Sequence, residues 1–538
     1  MTSVIDTSLL SPLALHEHVA RRRTFAIISH PDAGKTTLTE KLLLYAGAVD
    51  LAGSVRARAN PRRATSDWME MEQQRGISVT STALQFDYEG YRFNLLDTPG
   101  HQDFSEDTYR TLMAVDSAVM VLDAAKGIEP QTKKLFEVCR LRRIPIVTFI
   151  NKLDHPSESP LFLLDQIEHV LSIGPVAMNW PIGDGPSFQG VYDLRGQQVL
   201  RFERTARGQH RAPVHVGAIS DPALAHLIGD IAYRQLCDEV ELLAAAGTAF
   251  DRGRFLTGDV TPVFFGSALN NFGVQPFLDA LCELAPSPGP RMTDQGPVAP
   301  DDADFSGFIF KIQANMDPRH RDSMAFLRVC SGRFEKDMVV WHPRLGRSVR
   351  MSRPHRLFAR ERETVEEAYP GDVIGLVNPG LFAIGDTLCT GQPRRFDAIP
   401  RFPPEHFAII ESRDVARYKQ FHKGLAQLEE EGAIQVLTAP ESARREPILA
   451  AVGELQFDVV AARLRAEYGV ETTLRRLPYT TARWVEGDPA AVAGARWLTR
   501  GVLRAQDRQG RPVALFQSAW DLDYAIQHNP AIRFRELG

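Results

Sequence analysis

An eight-residue loop near the start of the chain constrains the fold more than any other feature. It has the sequence Ser29-His30-Pro31-Asp32-Ala33-Gly34-Lys35-Thr36. A strand-like apolar run from Phe25 to Ile28 precedes the loop, and a helix-compatible stretch from Lys35 to Tyr45 follows it. This strand-loop-helix order is the context that a phosphate-binding P-loop requires. The loop therefore predicts an α/β domain that binds a nucleotide.

The residue types in this loop suit the binding of phosphate oxygens. Backbone N–H groups of residues Ser29 to Thr37, apart from Pro31, which has none, would surround the phosphates together with the positive end of the helix. We expect Lys35 to reach the β- and γ-phosphates and Thr36 to ligate Mg²⁺. Ser29 replaces the first glycine of the strict pattern. Asp32 is compatible either with a monovalent cation site or with a cap on local N–H groups.

A second motif follows the apolar run from Phe93 to Leu96. It has the sequence Asp97-Thr98-Pro99-Gly100-His101. At the carboxyl end of a strand, Asp97 can hold Mg²⁺ through a water molecule, and Gly100 can offer its N–H to the γ-phosphate. Such a short motif is a common turn when it stands alone. Its specific signal is its position between the P-loop and the motif described next.

A third motif indicates which base is bound. Asn151-Lys152-Leu153-Asp154 follows the apolar run from Ile146 to Ile150, which is typical of a buried parallel strand. Guanine presents two adjacent N–H donors that a carboxylate accepts with both oxygens, and adenine has no such pair. We therefore predict that Asp154 selects guanine, that Lys152 lies along the base, and that Asn151 hydrogen-bonds across to the P-loop.

The last apolar strand of this region ends in small residues. The run from Val263 to Phe265 is followed by Gly266 and then by Ser267, Ala268 and Leu269. Small residues at a strand end let the backbone approach a ligand closely. We expect a backbone N–H from Ser267, Ala268 or Leu269 to contact the guanine oxygen.

In this order, the motifs resemble the signature elements of the translational GTPases. The resemblance implies that His101 is the catalytic residue, which orients the attacking water once the ribosome has moved it into place. It also implies that the polar stretch 47–81 is the first switch region, where Ser78 stands in place of the usual threonine and ligates Mg²⁺. We expect this region to be ordered with GTP and disordered with GDP.

The length of the chain and the positions of its linker-like segments predict several domains. A chain of 538 residues is too long for one core. A proline-rich stretch at 286–290 predicts a linker, and the long gap between Asp154 and Thr261 predicts an insertion. The expected units are an N-terminal extension (1–20), a GTP-binding domain (21–290, with the insertion at about 156–260), a β-barrel (291–395) and an α+β domain (396–538).

The two later units have their own patterns. Short strand-like segments separated by glycine turns from Phe305 to Leu388 predict a barrel, and they resemble the second domain of translation factors. From Phe407 to Leu474 the order is βαββαβ, which is typical of a ferredoxin-like domain. The predicted fold is thus a P-loop GTPase domain with an inserted subdomain, then a translation-factor β-barrel, then a ferredoxin-like domain.

Three phrases resemble the bacterial class II release factors, which are related to elongation factor G. They are Phe25 to Lys35, Ile312 to Pro318 and Gly453 to Val460. The resemblance implies a ribosome-stimulated GTPase with GTP, GDP and Mg²⁺ as ligands, which removes class I release factors from the ribosome after peptide release. Another ribosome-bound GTPase, a translocase-like or rescue factor, is the alternative.

Composition sets further expectations about partners and location. No apolar run approaches membrane-spanning length, so we expect a cytoplasmic monomer that contacts no membrane. The net charge of −5 argues against indiscriminate nucleic-acid binding. The arginine-rich run from Arg344 to Arg362 fits either a contact with RNA or an ordinary solvated face. Five widely spaced cysteines support neither a disulfide framework nor a zinc site, and we expect buried thiols.

Overall fold

The computed structural model describes most of the chain. The described residues are 12–48, 82–99, 105–203, 214–246, 249–314, 323–358, 361–397, 399, 403–439, 446–498 and 501–536. Ser78, Gly100 and His101 lie outside them, as does most of the expected first switch region. The predictions made for those three residues stay predictions.

The first unit contains a seven-stranded sheet with helices on both faces. Its elements are α1 (Pro12–Ala20), β1 (Arg22–Ser29), α2 (Lys35–Tyr45), β2 (Thr82–Tyr88), β3 (Tyr91–Asp97), α3 (Ser105–Met113), β4 (Ser117–Asp123), α4 (Pro130–Leu141), β5 (Ile146–Asn151), α5 (Pro160–Leu171), β6 (Gly174–Ala177), β7 (Asn179–Ile182), β8 (Gly190–Asp193), β9 (Gln198–Phe202), β10 (Val214–Ala218), α6 (Pro222–Ile228), α7 (Asp230–Ala246), α8 (Arg252–Thr257), β11 (Val260–Phe265) and α9 (Val274–Leu284). The strand order is β2-β3-β1-β4-β5-β11-β6, and every pair is parallel except β2 with β3.

Burial on both faces explains the nearly continuous apolar sequence of the central strands. Alternate residues of β1 enter different cores. Phe25 and Ile27 pack with α2 and α9, whereas Ala26 and Ile28 pack with α4 and α5. Helices therefore cover both faces of the sheet. The loops at the carboxyl ends of its parallel strands lie together along one edge.

The inserted region has a sheet of its own. The order of its four strands is β10-β9-β8-β7, and all pairs are antiparallel. The strands β8 and β9 form a hairpin, and the helical stretch that follows the sheet is divided at Gly229 into α6 and α7. Part of the expected insertion belongs to the main sheet instead, because β6 pairs with β11 in parallel.

The second unit is a barrel-like arrangement of short strands. Its elements are β12 (Arg291–Thr293), β13 (Gly296–Val298), β14 (Ser306–Ala314), β15 (Ser323–Ser331), β16 (Phe334–Glu335), β17 (Val339–His342), β18 (Arg347–Arg350), β19 (Pro354–Phe358), β20 (Glu361–Thr364), β21 (Glu367–Ala368), β22 (Val373–Asn378) and β23 (Thr387–Cys389). Eight of them form one sheet in the order β18-β17-β23-β14-β15-β22-β19-β20. Its core contains Ile309, Leu327 and Leu388.

The third unit contains the predicted βαββαβ pattern and an extension. Its elements are β24 (His406–Ser412), α10 (Tyr418–Glu430), β25 (Gln435–Thr438), β26 (Pro447–Ala451), α11 (Leu455–Tyr468), β27 (Thr472–Leu477), β28 (Thr481–Glu486), α12 (Pro489–Ala493), β29 (Val502–Gln506), β30 (Pro512–Phe516), α13 (Ala519–His528) and β31 (Arg533–Arg535). The order β27-β24-β26-β25 is that of a ferredoxin-like sheet, which β29-β30-β28-β31 then continue to eight strands. The strands of this last part were not predicted from the sequence.

Buried ion pairs join the first unit to the barrel. Arg22 contacts Asp372 at 2.8 Å, with 4% of each side chain exposed. Asp116 accepts from Arg291 at 3.0 Å and from Arg328 at 2.6 Å. Because buried charges require partners, these contacts restrict how the two units sit against each other.

All three units meet at α3. Its Asp107 carboxylate lies 3.7 Å from Lys311 of β14. Arg110 donates to the carbonyl oxygens of Glu431 at 3.3 Å and Gly432 at 3.2 Å, and it contacts Glu106 at 2.7 Å. We call this contact between α3 and residues 431–432 the Arg110 contact. It connects the GTP-binding domain directly to the third unit.

Candidate nucleotide site

The P-loop connects β1 to α2 at the carboxyl edge of the main sheet. Gly34, the residue before α2, has φ 95°, a left-handed conformation that favours glycine. A Cβ on Gly34 would lie 2.3 Å from Nδ2 of Asn151. Both the backbone conformation and the space beside Asn151 therefore require glycine at this position.

The side chains of Lys35 and Asp97 contact each other beside the loop. The register of β1 and β3 puts Asp97 opposite Ile27, so that Asp97 lies next to the start of the loop. Nζ of Lys35 lies 2.6 Å from Oδ1 of Asp97, and both side chains are buried. The cation assigned to the phosphates and the carboxylate assigned to the metal thus belong to one cluster.

The groups present suit phosphate and a hard metal ion. Oγ of Ser29 and Nδ1 of His30 are buried and have no hydrogen-bond partner among the described residues. A phosphate oxygen beside them would accept from both, which fits the loop as predicted. The hydroxyl of Thr36 and the carboxylate of Asp97 are the oxygen ligands that Mg²⁺ prefers. The ion itself would neutralise charge on the β- and γ-phosphates.

Asn151 joins three loops. Its Nδ2 donates to the carbonyl of Ala33 in the P-loop at 2.9 Å. Its Oδ1 accepts from the N–H of Ala268 at 2.9 Å, and only 2% of Asn151 is exposed. The bond across to the P-loop matches the prediction. The N–H of Ala268 is engaged by Asn151, which the sequence did not indicate.

Asp123 is a residue of this site that sequence reasoning missed. It ends β4, its Oδ2 accepts from Nζ of Lys152 at 2.9 Å, and its Oδ1 accepts from the N–H of Ala125 at 3.0 Å. Lys152 has φ 71°, so this ion pair holds a lysine in an uncommon backbone conformation. The available signal was an aspartate at the end of an apolar strand, the same signal that marked Asp97.

The residue predicted to bind guanine lies beside the last loop of the site. Oδ1 of Asp154 accepts from Oγ of Ser267 at 2.6 Å, while Leu269 at the rim is 53% exposed. Ser267 fixes the direction of the carboxylate, because a hydrogen bond of this length is strong. The structure therefore brings together Ser29 to Thr37, Asp97, Asn151, Lys152, Asp154 and Ser267 to Leu269 at one edge of the sheet.

Two other predictions concern residues away from this edge. In the arginine-rich run, Arg344 pairs with Asp386 at 2.6 Å and Arg350 with Asp337 at 3.1 Å, so part of its charge is neutralised within the barrel. All five cysteines are free thiols, four of them buried and Cys237 half-buried. Burial raises the pKa of Cys139 to about 12, which makes it an unreactive thiol at neutral pH.

The fold and the site define a translation-factor GTPase that binds a guanine nucleotide. Residues 20–287 match the family model described as elongation factor Tu GTP binding domain, and residues 304–391 match elongation factor G domain 2. A third model, class II release factor RF3, C-terminal domain, matches residues 396–526. In the described part of the chain, no helix combines the length and apolar character needed to cross a bilayer.

Whole-chain relatives identify the family. A peptide chain release factor 3 from Gloeobacter violaceus is 59% identical over 98% of this chain and 99% of its own length. Another, from Symbiobacterium thermophilum, is 55% identical over 97% of this chain and 98% of its own length. The chain belongs to the peptide chain release factor 3 family and is a GTPase that acts in translation termination.

Structural similarity agrees at the level of the fold. A crystal structure of a protein from Thermus thermophilus superimposes with a TM-score of 0.68 over 92% of this chain and 72% of that chain. The sequence identity is 22%, so this likeness concerns the fold alone.

Proposed function

We propose that the protein uses GTP to dissociate class I release factors from the ribosome after peptide release. The observation that carries this proposal is the C-terminal domain, residues 396–526, whose family model is specific to class II release factors. The Arg110 contact joins that domain to α3, which begins at Ser105, shortly after Gly100 and His101 in the sequence. This function takes place in the cytoplasm, with the ribosome and the departing factor as partners.

The residues on the phosphate side of the site have roles in phosphoryl transfer, which depends on positioning and charge stabilisation more than on covalent chemistry. Lys35 binds the β- and γ-phosphates, and Thr36, Ser78 and Asp97 hold Mg²⁺. Since Lys35 already contacts Asp97 at 2.6 Å, phosphate binding exchanges one partner of the ammonium for another. His101 orients the attacking water.

GTP hydrolysis must favour one ribosome conformation over another for the cycle to do work, because a ligand shifts an equilibrium only through unequal affinity. With GTP, Gly100 and Ser78 contact the γ-phosphate, and the segment leading into α3 is held in place. Hydrolysis releases that segment. The Arg110 contact then transmits the change to residues 431–432.

The proposal is tested with post-termination ribosomes that carry a fluorescently labelled class I release factor. We expect the protein with GTP to accelerate dissociation of the label, and His101→Ala to bind GTP normally while losing ribosome-stimulated turnover. Normal stimulated turnover by that variant would rule out the assigned role of His101. No acceleration by the unmodified protein would rule out the proposed function.

Base selection is tested separately. Asp154→Asn replaces an acceptor with a group that also donates, which suits the 2-oxo group of xanthine. We expect nucleotide preference to shift from guanine toward xanthine, measured by competition with fluorescent GDP. Unchanged selectivity would contradict the assignment of Asp154.

A further inference from the structure

The inserted subdomain touches both loops that carry the proposed guanine contacts. We define this subdomain as β7 to β10 with α6 and α7, and we define the base loops as residues 151–157 and 266–272. Three separate contacts join the subdomain to these loops or to Phe265, the last residue of β11 and the one before the second loop. Each one is made by a residue that has no place in the phosphate site.

The first contact is a turn of the inserted sheet against the first base loop. The N–H of Gly185 donates to the carbonyls of Leu153 at 2.8 Å and His155 at 3.2 Å. Oδ2 of Asp184 accepts from the N–H of Ser157 at 3.2 Å. The turn therefore holds the backbone on both sides of Asp154.

The second contact acts on the strand that leads into the other base loop. Asn179 is the first residue of β7. Its side-chain amide forms the two hydrogen bonds with the backbone of Phe265 that a neighbouring strand would otherwise form. Its Nδ2 donates to the carbonyl of Phe265 at 3.1 Å, and its Oδ1 accepts from the N–H of Phe265 at 2.7 Å. Asn179 is 3% exposed, so water does not replace these bonds easily.

The third contact is aromatic. Phe272 is 5.2 Å from Phe202 and 5.7 Å from Phe188, measured between ring centroids. Backbone hydrogen bonds in both directions link Phe272 to Ser267, at 2.9 and 3.0 Å. Since Oγ of Ser267 donates to Asp154 at 2.6 Å, this packing also supports the guanine carboxylate.

A buried chain of contacts extends from β11 to α7. The ring of Trp180 lies 5.5 Å from that of Phe265, and its Nε1 donates to Glu239 of α7 at 2.6 Å. Trp180 has no exposed surface, so a displacement of α7 must repack the strand end.

We propose that the inserted subdomain sets how long a guanine nucleotide stays bound, with Asn179 and Asp184 as positioning residues that hold Asp154 and Ser267 in place for the base. The proposal rests on the proposed assignment of Asp154 to guanine. Loosening the subdomain would mainly raise the dissociation rate, because the P-loop that captures the phosphates makes none of these three contacts.

The test measures dissociation of fluorescent GDP from the full-length protein after addition of excess unlabelled GDP. Asn179→Ala leaves a buried N–H and a buried carbonyl unpaired, and we expect the dissociation rate constant to rise about tenfold. Asp184→Ala removes one solvent-exposed hydrogen bond, and we expect a rise of about threefold. Because Asp184 is exposed, its variant keeps the test available if Asn179→Ala fails to fold.

Asp193→Ala is the matched control. Oδ1 of Asp193 accepts from the N–H of Arg195 at 3.0 Å in the turn between β8 and β9, at the end of β8 away from the Asp184 turn. We expect its dissociation rate to equal that of the unmodified protein. An increase as large as that of Asp184→Ala would overturn the proposal, because any loosening of the sheet would then suffice.

Inosine diphosphate separates positioning from general loosening. Inosine lacks the N2 amine and so uses only part of the Asp154 carboxylate. If Asp184 positions Asp154, then Asp184→Ala affects GDP more than inosine diphosphate and adds little in an Asp154→Ala background. Equal effects on the two nucleotides would overturn the proposal. If instead Asp154→Ala itself leaves GDP dissociation unchanged, the base assignment under the proposed function fails.

Discussion

The Arg110 contact offers the most direct test of how the nucleotide domain is tied to the rest of the chain. Arg110 is 5% exposed and its guanidinium bonds to two main-chain carbonyls of the third unit and to Glu106, itself 5% exposed. Arg110→Ala leaves all three acceptors short of a donor. A Cβ on Gly432 would lie 2.1 Å from Nη1 of Arg110, so the guanidinium packs directly against the backbone of Gly432.

The magnitude follows from the two bonds that cross between units. A hydrogen bond with a charged donor contributes about 1.5–3 kcal/mol, so the docking of the third unit on α3 should weaken by about 3 kcal/mol or more. The Glu106 pair lies within α3, and its loss adds to the destabilisation of the helix itself. A change of about 3 kcal/mol raises the undocked population by roughly two orders of magnitude.

Hydrogen exchange measured by mass spectrometry reports this opening locally. We expect Arg110→Ala to lower the opening free energy of α3 and of the segment 428–436 by about 3 kcal/mol. Arg465→Ala is the control, since its 70% exposed side chain pairs with Glu471 inside one unit and should change stability by less than about 1 kcal/mol. A change in α3 no larger than that of the control would refute the reasoning.

Three further substitutions test the site and the barrel. Asn151→Ala leaves the carbonyl of Ala33 and the N–H of Ala268 unpaired. Isothermal titration calorimetry should therefore find that GDP binding is weaker by about 2 kcal/mol. A GDP affinity within a factor of two of that of the unmodified protein would contradict the bridging role. Gly34→Ala puts a Cβ 2.3 Å from Asn151 at a positive φ, and equilibrium dialysis should detect little GDP binding; normal binding would show that the loop relaxes. Burial would raise the pKa of Asp386, but hydrogen bonds from Arg344 and His342 outweigh it and hold that pKa below its ordinary 3.8, so stability should fall as the pH drops below that value. Asp386→Asn should flatten this acid dependence in thermal melts, and an unchanged profile would contradict the argument.

The phosphate and base motifs were predictable because each is a short local pattern with a fixed place at a strand end. The P-loop helix begins at Lys35, as predicted, and Asn151 bridges to Ala33, as predicted. The pairing of Asp123 with Lys152 was not predictable in the same way. It depends on β4 and β5 being neighbours in the sheet, and the two residues are 29 positions apart.

The contacts between units also could not be predicted from the sequence. A lysine or arginine on a helix is normally solvated, and Arg110 is buried only because the third unit covers α3. The strands β28, β29 and β31 were missed because they are short and partly exposed, and their apolar positions alternate weakly. The strand β30 is buried from Val513 to Phe516, but a run of four apolar residues does not distinguish a strand from a short helical segment. They are stabilised by pairing onto an existing sheet, which a local pattern does not reveal.

The ion pairs of Asp116 with two arginines limit which fragments of this protein can be studied alone. Arg291 lies just after the linker and Arg328 lies in β15, so a fragment that ended near residue 288 would expose an aspartate with neither cation. Such a truncation would change the surface and the stability of the GTPase domain as well as remove its neighbours. Kinetic constants measured on that fragment would describe a different molecule, and the first two units should be expressed and purified together.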